Sequence, residues 1–380
     1  MTDHSTQLDT KDSTQNALTI ELKTPIQTDR PIYLAGNFND WNNSDQAFQL
    51  EALDNGNFQY TFSNAALQEL PNPIEYKYTL GGWDFVELDQ QGNYVENRSA
   101  KHEQGLVQDV VPRWMNAHLK FDRNLLPDIR ILSESFEIPQ LIRTRRISAL
   151  LPHDYEQSDK RYPVLYLQDG QNLFDDYAPF GNWGVDKKLA ILKKEGFGDV
   201  IIIAIDHAAE KRIAEFTPSY RTQLGKGEGK KYVRFLADTL KPYIDRTFRT
   251  LPDRIHTGIG GSSMGGLISI YAGLMYPEVF SRLMIFSPSL WVAPNIHFHA
   301  ISFDATQRSK IYLYGGRAES ATMESNIRRF QQAMEEQGVN DNLEFKVVID
   351  PEGTHNEGRW GQEFPAAIKW LFFDTEKSES

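Results

Sequence analysis

The sequence predicts an α/β domain, a mostly parallel sheet with helices on both faces, preceded by a small all-β immunoglobulin-like sandwich. Three observations predict it. The chain has 380 residues, and at about 150 residues per domain that is room for two or three domains. Residues 18–111 carry short alternating apolar runs divided by turn residues. Beyond residue 127, continuous apolar runs alternate with amphipathic stretches, the pattern of strands buried on both faces of a sheet.

The elements follow in order. The first sixteen or so residues are polar, and a disordered tail is expected over 1–17. Leu18–Leu22, Ile32–Ala35, Phe58–Phe62 and Ile74–Tyr78 read as strands, with Asp54-Asn-Gly56 and Gly81-Gly82 as turns between them. These make a sandwich over 18–111. Residues 112–126 read as a linker. The α/β domain is expected over 127–376. Its strands are Ile147–Leu151, Val164–Gln168, Val200–Asp206, Ile255–Gly260, Leu283–Phe286, Ile311–Tyr314 and Leu343–Ile349. Tyr232–Leu240 and Ser325–Met334 have helical periodicity. No internal repeat is present.

Composition excludes several functions. Forty basic and 52 acidic residues give a net charge of −12, opposed to neutralising nucleic-acid phosphates or docking on an anionic membrane. Cysteine is absent. That removes disulfides, thiolate metal sites and a thiol nucleophile. The histidines lack i, i+4 metal spacing, and no metal or other cofactor is expected. No run of 18 apolar residues occurs, and the polar N-terminus lacks a signal-peptide core, so a cytoplasmic location is expected. Gly225-Lys-Gly-Glu-Gly-Lys-Lys231 lacks the order of a phosphate loop and reads as a loop before a helix.

The sharpest chemical signal is Gly261-Ser262-Ser263-Met264-Gly265. It follows an apolar strand and opens a helix at Leu267. A serine on so tight a turn needs small residues two before and two after it, and its hydroxyl then projects from the top of the sheet. The N–H of Met264 points the same way, at a helix N-terminus that suits a developing oxyanion. A serine nucleophile needs a base, and His355, in Gly353-Thr-His-Asn-Glu357, follows the strand 343–349 as the chain order serine, acid, histidine requires. His297 and His299 come too soon after the serine. The acid lies after the preceding strand, where Glu319 and Glu324 compete. The second oxyanion donor is expected in Gln168-Asp-Gly-Gln-Asn-Leu-Phe174, from the N–H of Gly170 or Gln171. Trp183 and Trp291 follow loops at the sheet edge and could wall an aryl or sugar pocket, with aromatic packing the equal alternative. Asn172 is a further pocket candidate, although its side chain, like that of Asp169, is better suited to holding its loop in shape.

These residues resemble the esterase family that includes enterochelin esterases and feruloyl esterases. The resemblance spans roughly 127–373. Its carriers are Tyr162–Phe174, Gly260–Gly266, Ser287-Pro-Ser-Leu-Trp291 and Gly353–Glu357. It implies an α/β-hydrolase fold and serine-esterase chemistry at Ser263 and His355. It also favours Glu319, because Gly316-Arg-Ala-Glu319 matches the family's glycine-x-x-acid pattern. Gln168 departs from the histidine the family often carries before Asp-Gly. The N-terminal part resembles starch- and glycogen-binding modules through Tyr33–Trp41, Glu75–Trp83 and Asn97-Arg98. That resemblance implies an oligosaccharide partner stacked on Trp41 and Trp83 and hydrogen-bonded by Lys77 and Asn97. The same residues could instead serve packing.

The expectation is thus a cofactor-free serine esterase with a Ser263-His355-Glu319 triad. Its expected substrate is a small ester of a carbohydrate, acetyl or feruloyl. A catecholate siderophore trilactone is the alternative substrate. A non-catalytic glycan-binding protein on a hydrolase scaffold is the rival from another class.

Overall fold

The computed structural model describes residues 17–25, 30–90, 94–115, 121–174, 181–296, 308–336 and 343–374. The expected tail up to residue 16, part of the linker, and His297 and His299 lie outside them. The chain divides into two compact units, 1–117 and 118–380.

In the first unit, alternation sets the strands as the sequence implies. Leu18, Ile20 and Leu22 are fully buried, while Thr19 and Glu21 between them are not. Leu18–Lys23 pairs with Phe58–Phe62 on one side and Leu106–Val110 on the other, in a four-stranded sheet completed by Glu51–Ala52. Tyr33–Gly36, Ile74–Thr79 and Arg98–Ala100 form a three-stranded sheet. The stretch read as linker contributes a short strand, Arg113–Trp114, which pairs with Glu87–Leu88. Trp114 is buried and donates to Thr24 Oγ1 at 3.0 Å.

The second unit is built on one eight-stranded sheet. Its strands are β1 (Asp128–Ile138), β2 (Arg143–Leu151), β3 (Val164–Gln168), β4 (Ile201–Ile205), β5 (Thr257–Ser262), β6 (Arg282–Phe286), β7 (Ser309–Gly316) and β8 (Leu343–Asp350). Their spatial order is β1-β2-β4-β3-β5-β6-β7-β8. The first two strands run antiparallel to their neighbours, and the rest are parallel. The helices of this unit are α1 (Val185–Lys194), α2 (Arg212–Phe216), α3 (Gly229–Phe235), α4 (Lys241–Thr247), α5 (Met264–Met275), α6 (Met323–Glu336) and α7 (Glu357–Ile368).

Continuous apolar strands demand cover on both faces. Every residue of β3, β4 and β5 is buried. One core cluster gathers Ile147, Tyr166, Ile203 and Ile259 with residues of α3 and α5. The other gathers Leu165, Leu167, Ile202 and Phe286 with residues of α1 and α7. The parallel strands all end at one edge, and there the loops after β3, β5, β6, β7 and β8 converge. That edge is where open α/β sheets bind ligands.

Candidate active site

Ser263 stands between the last residue of β5 and the first of α5. Its backbone is at φ 56° and ψ −121°, a conformation a side chain adopts only under strain from its surroundings. The two glycines of the motif are required by contact. A β-carbon at Gly265 would lie 2.9 Å from Asp169 Oδ2, and one at Gly261 would lie 2.9 Å from the Gly265 backbone. The Ser263 N–H is spent on Phe286 O at 3.0 Å. Met264 opens the helix, so its N–H belongs to the first turn, which has no acceptor within the helix.

His355 lies on the loop between β8 and α7. Its Nδ1 is 2.7 Å from Glu319 Oε2. The imidazole is 41% exposed and the Glu319 side chain 1%. An Nδ1–H donated to that carboxyl leaves Nε2 with its lone pair toward solvent and substrate. Glu319 follows β7, and its Oε1 accepts from the Gly316 N–H and the Ser287 hydroxyl, both at 2.6 Å. Ser287 Oγ also accepts from Trp360 Nε1 at 2.8 Å, and the Trp360 ring meets the imidazole edge to face at 4.9 Å. Glu324 faces away, paired with Arg317 at 2.7 Å and Arg328 at 3.7 Å on the surface. The Ser263 hydroxyl is 3.4 Å from Ser289 Oγ. No direct bond from Ser263 to His355 occurs among the described residues.

The loop after β3 turns at Asp169, whose backbone is left-handed at φ 57°, and continues as a single 3-10 turn, Gly170–Asn172. Gly170 is small for a reason the sequence did not disclose. A side chain there would strike Asp206 Oδ1 at 2.7 Å and the Ile205 backbone at 2.8 Å, so the glycine serves packing on β4. Gln171 Oε1 accepts from the His207 N–H at 3.0 Å. Asp169 is clamped by Arg212, with Nε and Nη2 each 2.7 Å from one carboxylate oxygen. Gln168 is buried and accepts from the Tyr232 hydroxyl at 2.5 Å. Asn172 donates to Glu357 Oε1 at 3.2 Å.

The two pocket tryptophans part company. Trp183 is 2% exposed. It stacks on Phe286 at 5.3 Å and packs against Trp360 and Phe364. The pocket wall expected there is a core residue: the loop carrying it turns its large apolar ring into the space under α7. Trp291 is 54% exposed, two residues beyond Ser289. A hydrogen bond from Gln223 N to Val292 O, 2.9 Å, brings the 222–225 turn beside it, with Leu224 also exposed. Leu224, Ser287 and Trp360 were not singled out from sequence as site residues. Of these, Ser287 alone lies within a family-like motif, Ser287-Pro-Ser-Leu-Trp291.

In the first unit, Trp41 and Trp83 meet with ring centroids 6.5 Å apart and planes 40° apart, both partly exposed. Lys77 donates to the Val95 carbonyl, and burial lowers its ammonium pKa. Asn97 is exposed two residues further along.

The Esterase family model matches residues 138–371, more than half of the chain. The chain belongs to the Esterase family. It is a carboxylic ester hydrolase, and the reading of a binding protein on an idle scaffold is set aside. Ferri-bacillibactin esterase BesA of Bacillus subtilis is 26% identical over 206 residues, covering 47% of this chain and 69% of that protein. An endo-1,4-beta-xylanase/feruloyl esterase of Xylanibacter ruminicola is 25% identical over 156 residues, 38% of this chain and 20% of that protein. Among solved structures, the enterobactin esterase FES of Shigella flexneri superposes with a TM-score of 0.51 at 15% identity, covering 93% of each chain. That likeness is one of fold, and it extends across both units. No helix among the described residues is long and apolar enough to cross a membrane.

Proposed function

We propose that this esterase works through a Ser263-His355-Glu319 triad and an acyl-enzyme, on an acylated carbohydrate carrying acetyl or feruloyl groups. The observation that carries the chemistry is the 2.7 Å contact from His355 Nδ1 to the buried Glu319 carboxyl, with Ser263 on a strained elbow at the same sheet edge. Nε2 of His355 takes the Ser263 proton as the hydroxyl attacks the ester carbonyl. The N–H groups of Met264 and of Gly170 or Gln171 receive the oxyanion. His355 then protonates the departing alcohol, and water resolves the acyl-enzyme with His355 again as base. The serine–histidine bond is often looser before substrate arrives than in the complex. Trp291 offers an exposed aromatic face for the acyl or sugar part.

Two features support a sugar substrate. Trp41 and Trp83 form a paired, partly exposed aromatic face, suited to the C–H faces of a glycan, and a feruloyl esterase is among the relatives. A siderophore trilactone is the second reading. It is favoured by the BesA relative and by the FES fold, which matches both units. Intact mass after exposure to a small fluorophosphonate, with peptide mapping, tests the triad. One adduct on Ser263 is expected, and a folded protein with none overturns it. Hydrolysis of feruloylated and acetylated oligosaccharides against a ferric catecholate trilactone tests the substrate. Cleavage of the trilactone alone overturns the carbohydrate reading.

A further inference from the structure

Glu357 is the first residue of α7, two beyond His355, and none of the steps above uses it. Its carboxyl is turned in toward the loop after β3, where Oε1 accepts from Asn172 Nδ2 at 3.2 Å. Asn172 closes the turn assigned above to the oxyanion, and its carbonyl oxygen accepts from the Trp183 N–H at 2.9 Å. The other end of the same turn, Asp169, is held by Arg212 of α2. The turn is therefore suspended between two side-chain anchors, one on each flanking helix. We propose that Glu357 is a positioning residue for the oxyanion turn, tying it through Asn172 to the helix that carries the histidine loop. This rests on the oxyanion assignment above.

The surroundings of Glu357 give the anchor a working range. Burial, then the neighbouring Asp169 carboxylate, push its carboxyl up to about 8, against the opposing pull of Arg212 and the Asn172 amide. From its own loop His355 stands nearby, and from the loop after β4 His207 lies in the field of Asp169 and Arg212, lowered chiefly by burial. Arg359, further along α7, is engaged by Asp350 and the Glu352 carbonyl. Below about 8 Glu357 is an uncharged acid beside the Asp169–Arg212 pair. Above it, a second carboxylate competes with Asp169 for the one guanidinium, so the Asp169 end of the turn loosens while the bond from Asn172 becomes charge-assisted. Because the folded value lies above the ordinary 4.5, the protonated form favours the fold at low pH. That contribution is lost as pH rises through about 8.

The test compares the full-length wild type, Glu357→Gln and Glu357→Ala, with p-nitrophenyl acetate as substrate. Gln keeps the acceptor for Asn172 and cannot ionise. Wild-type kcat should fall about tenfold as pH rises from 7 to 9.5, with KM little changed, as a displaced oxyanion donor implies. Glu357→Gln should keep most of its neutral-pH kcat and lose that alkaline fall. Glu357→Ala should be about tenfold slower at every pH. Hydrogen exchange of the 168–173 amides, corrected for intrinsic rates, gives a readout independent of turnover. Protection should drop above pH 8 in wild type and persist in Glu357→Gln. An unchanged alkaline limb in Glu357→Gln, or loop protection indifferent to the substitution, overturns the proposal. A Ser263→Ala variant that still turned over would overturn the triad and leave the exchange result to stand by itself.

Discussion

Glu319 is the residue on which the site turns. Its buried carboxyl collects three donors, from Gly316, Ser287 and His355. Glu319→Gln would keep the shape but present an amide N–H to Nδ1, forcing the wrong imidazole tautomer. A loss of about 10⁴ in kcat is expected, by analogy with the amide variant of a triad acid. Glu324→Gln, a surface change, should leave kcat within about twofold, and steady-state kinetics on one ester decides both. Ser287→Ala leaves the Trp360 indole and one Glu319 oxygen without their shared partner. It should cost about 1–3 kcal/mol, measurable by urea unfolding. The sequence named Ser263 and His355 outright, since one needs a glycine-flanked elbow and the other a fixed chain order. Between Glu319 and Glu324 the glycine turn and the family pattern favour Glu319 but do not exclude Glu324, because five residues of spacing cannot say which carboxyl turns inward. Ser287 stayed hidden because its role depends on partners 32 and 73 residues away.

At the scale of elements, the elbow is a contact problem between β5, α5 and the loop after β3. Gly265→Ala places a methyl 2.9 Å from Asp169 Oδ2 and 3.1 Å from Gln168 Cβ. Both neighbours are pinned, Asp169 by Arg212 and Gln168 by Tyr232. The expected result is a fall in kcat of about 10²-fold, the cost of an ångström-scale shift of the nucleophile. Fluorophosphonate labelling should slow in parallel while the circular dichroism stays native. The buried parallel strands were legible because they are unbroken apolar runs. The edge strand β1 was missed for the opposite reason. Its exposure follows no clean alternation, and Ile129 and Ile131 face solvent. For Trp183 the sequence leaves pocket wall and core packing equally open, because a tryptophan in a loop gives no hint of whether its ring turns outward or down into the core; the structure selects the core.

For the whole molecule, a buried charge cluster ties β2 to α2. Glu215 has a fully buried side chain, bonded to Arg145 at 2.7 Å and Arg143 at 2.8 Å. Glu215→Ala would strand the Arg145 guanidinium, which is 6% exposed, and about 3–5 kcal/mol of stability should be lost. Thermal unfolding read separately from kcat would show this as a stability defect with little change in turnover of the folded fraction. The first unit answers to a different assay. Trp41→Ala should abolish maltodextrin retention on affinity gels if the paired rings face a glycan, and leave turnover of a small ester unchanged.

The Ser287 hydroxyl joins three loops at once, with Glu319 before it and Trp360 behind it, and His355 resting on both. The participants come from the ends of β6, β7 and β8, far apart in the chain, and they meet only when that side of the sheet has zipped to its last strand. Covalent labelling of Ser263 is therefore a clock for assembly. In a refolding time course, a chain with a collapsed core and an undocked final strand is silent toward the fluorophosphonate. The appearance of label dates the moment β8 arrives.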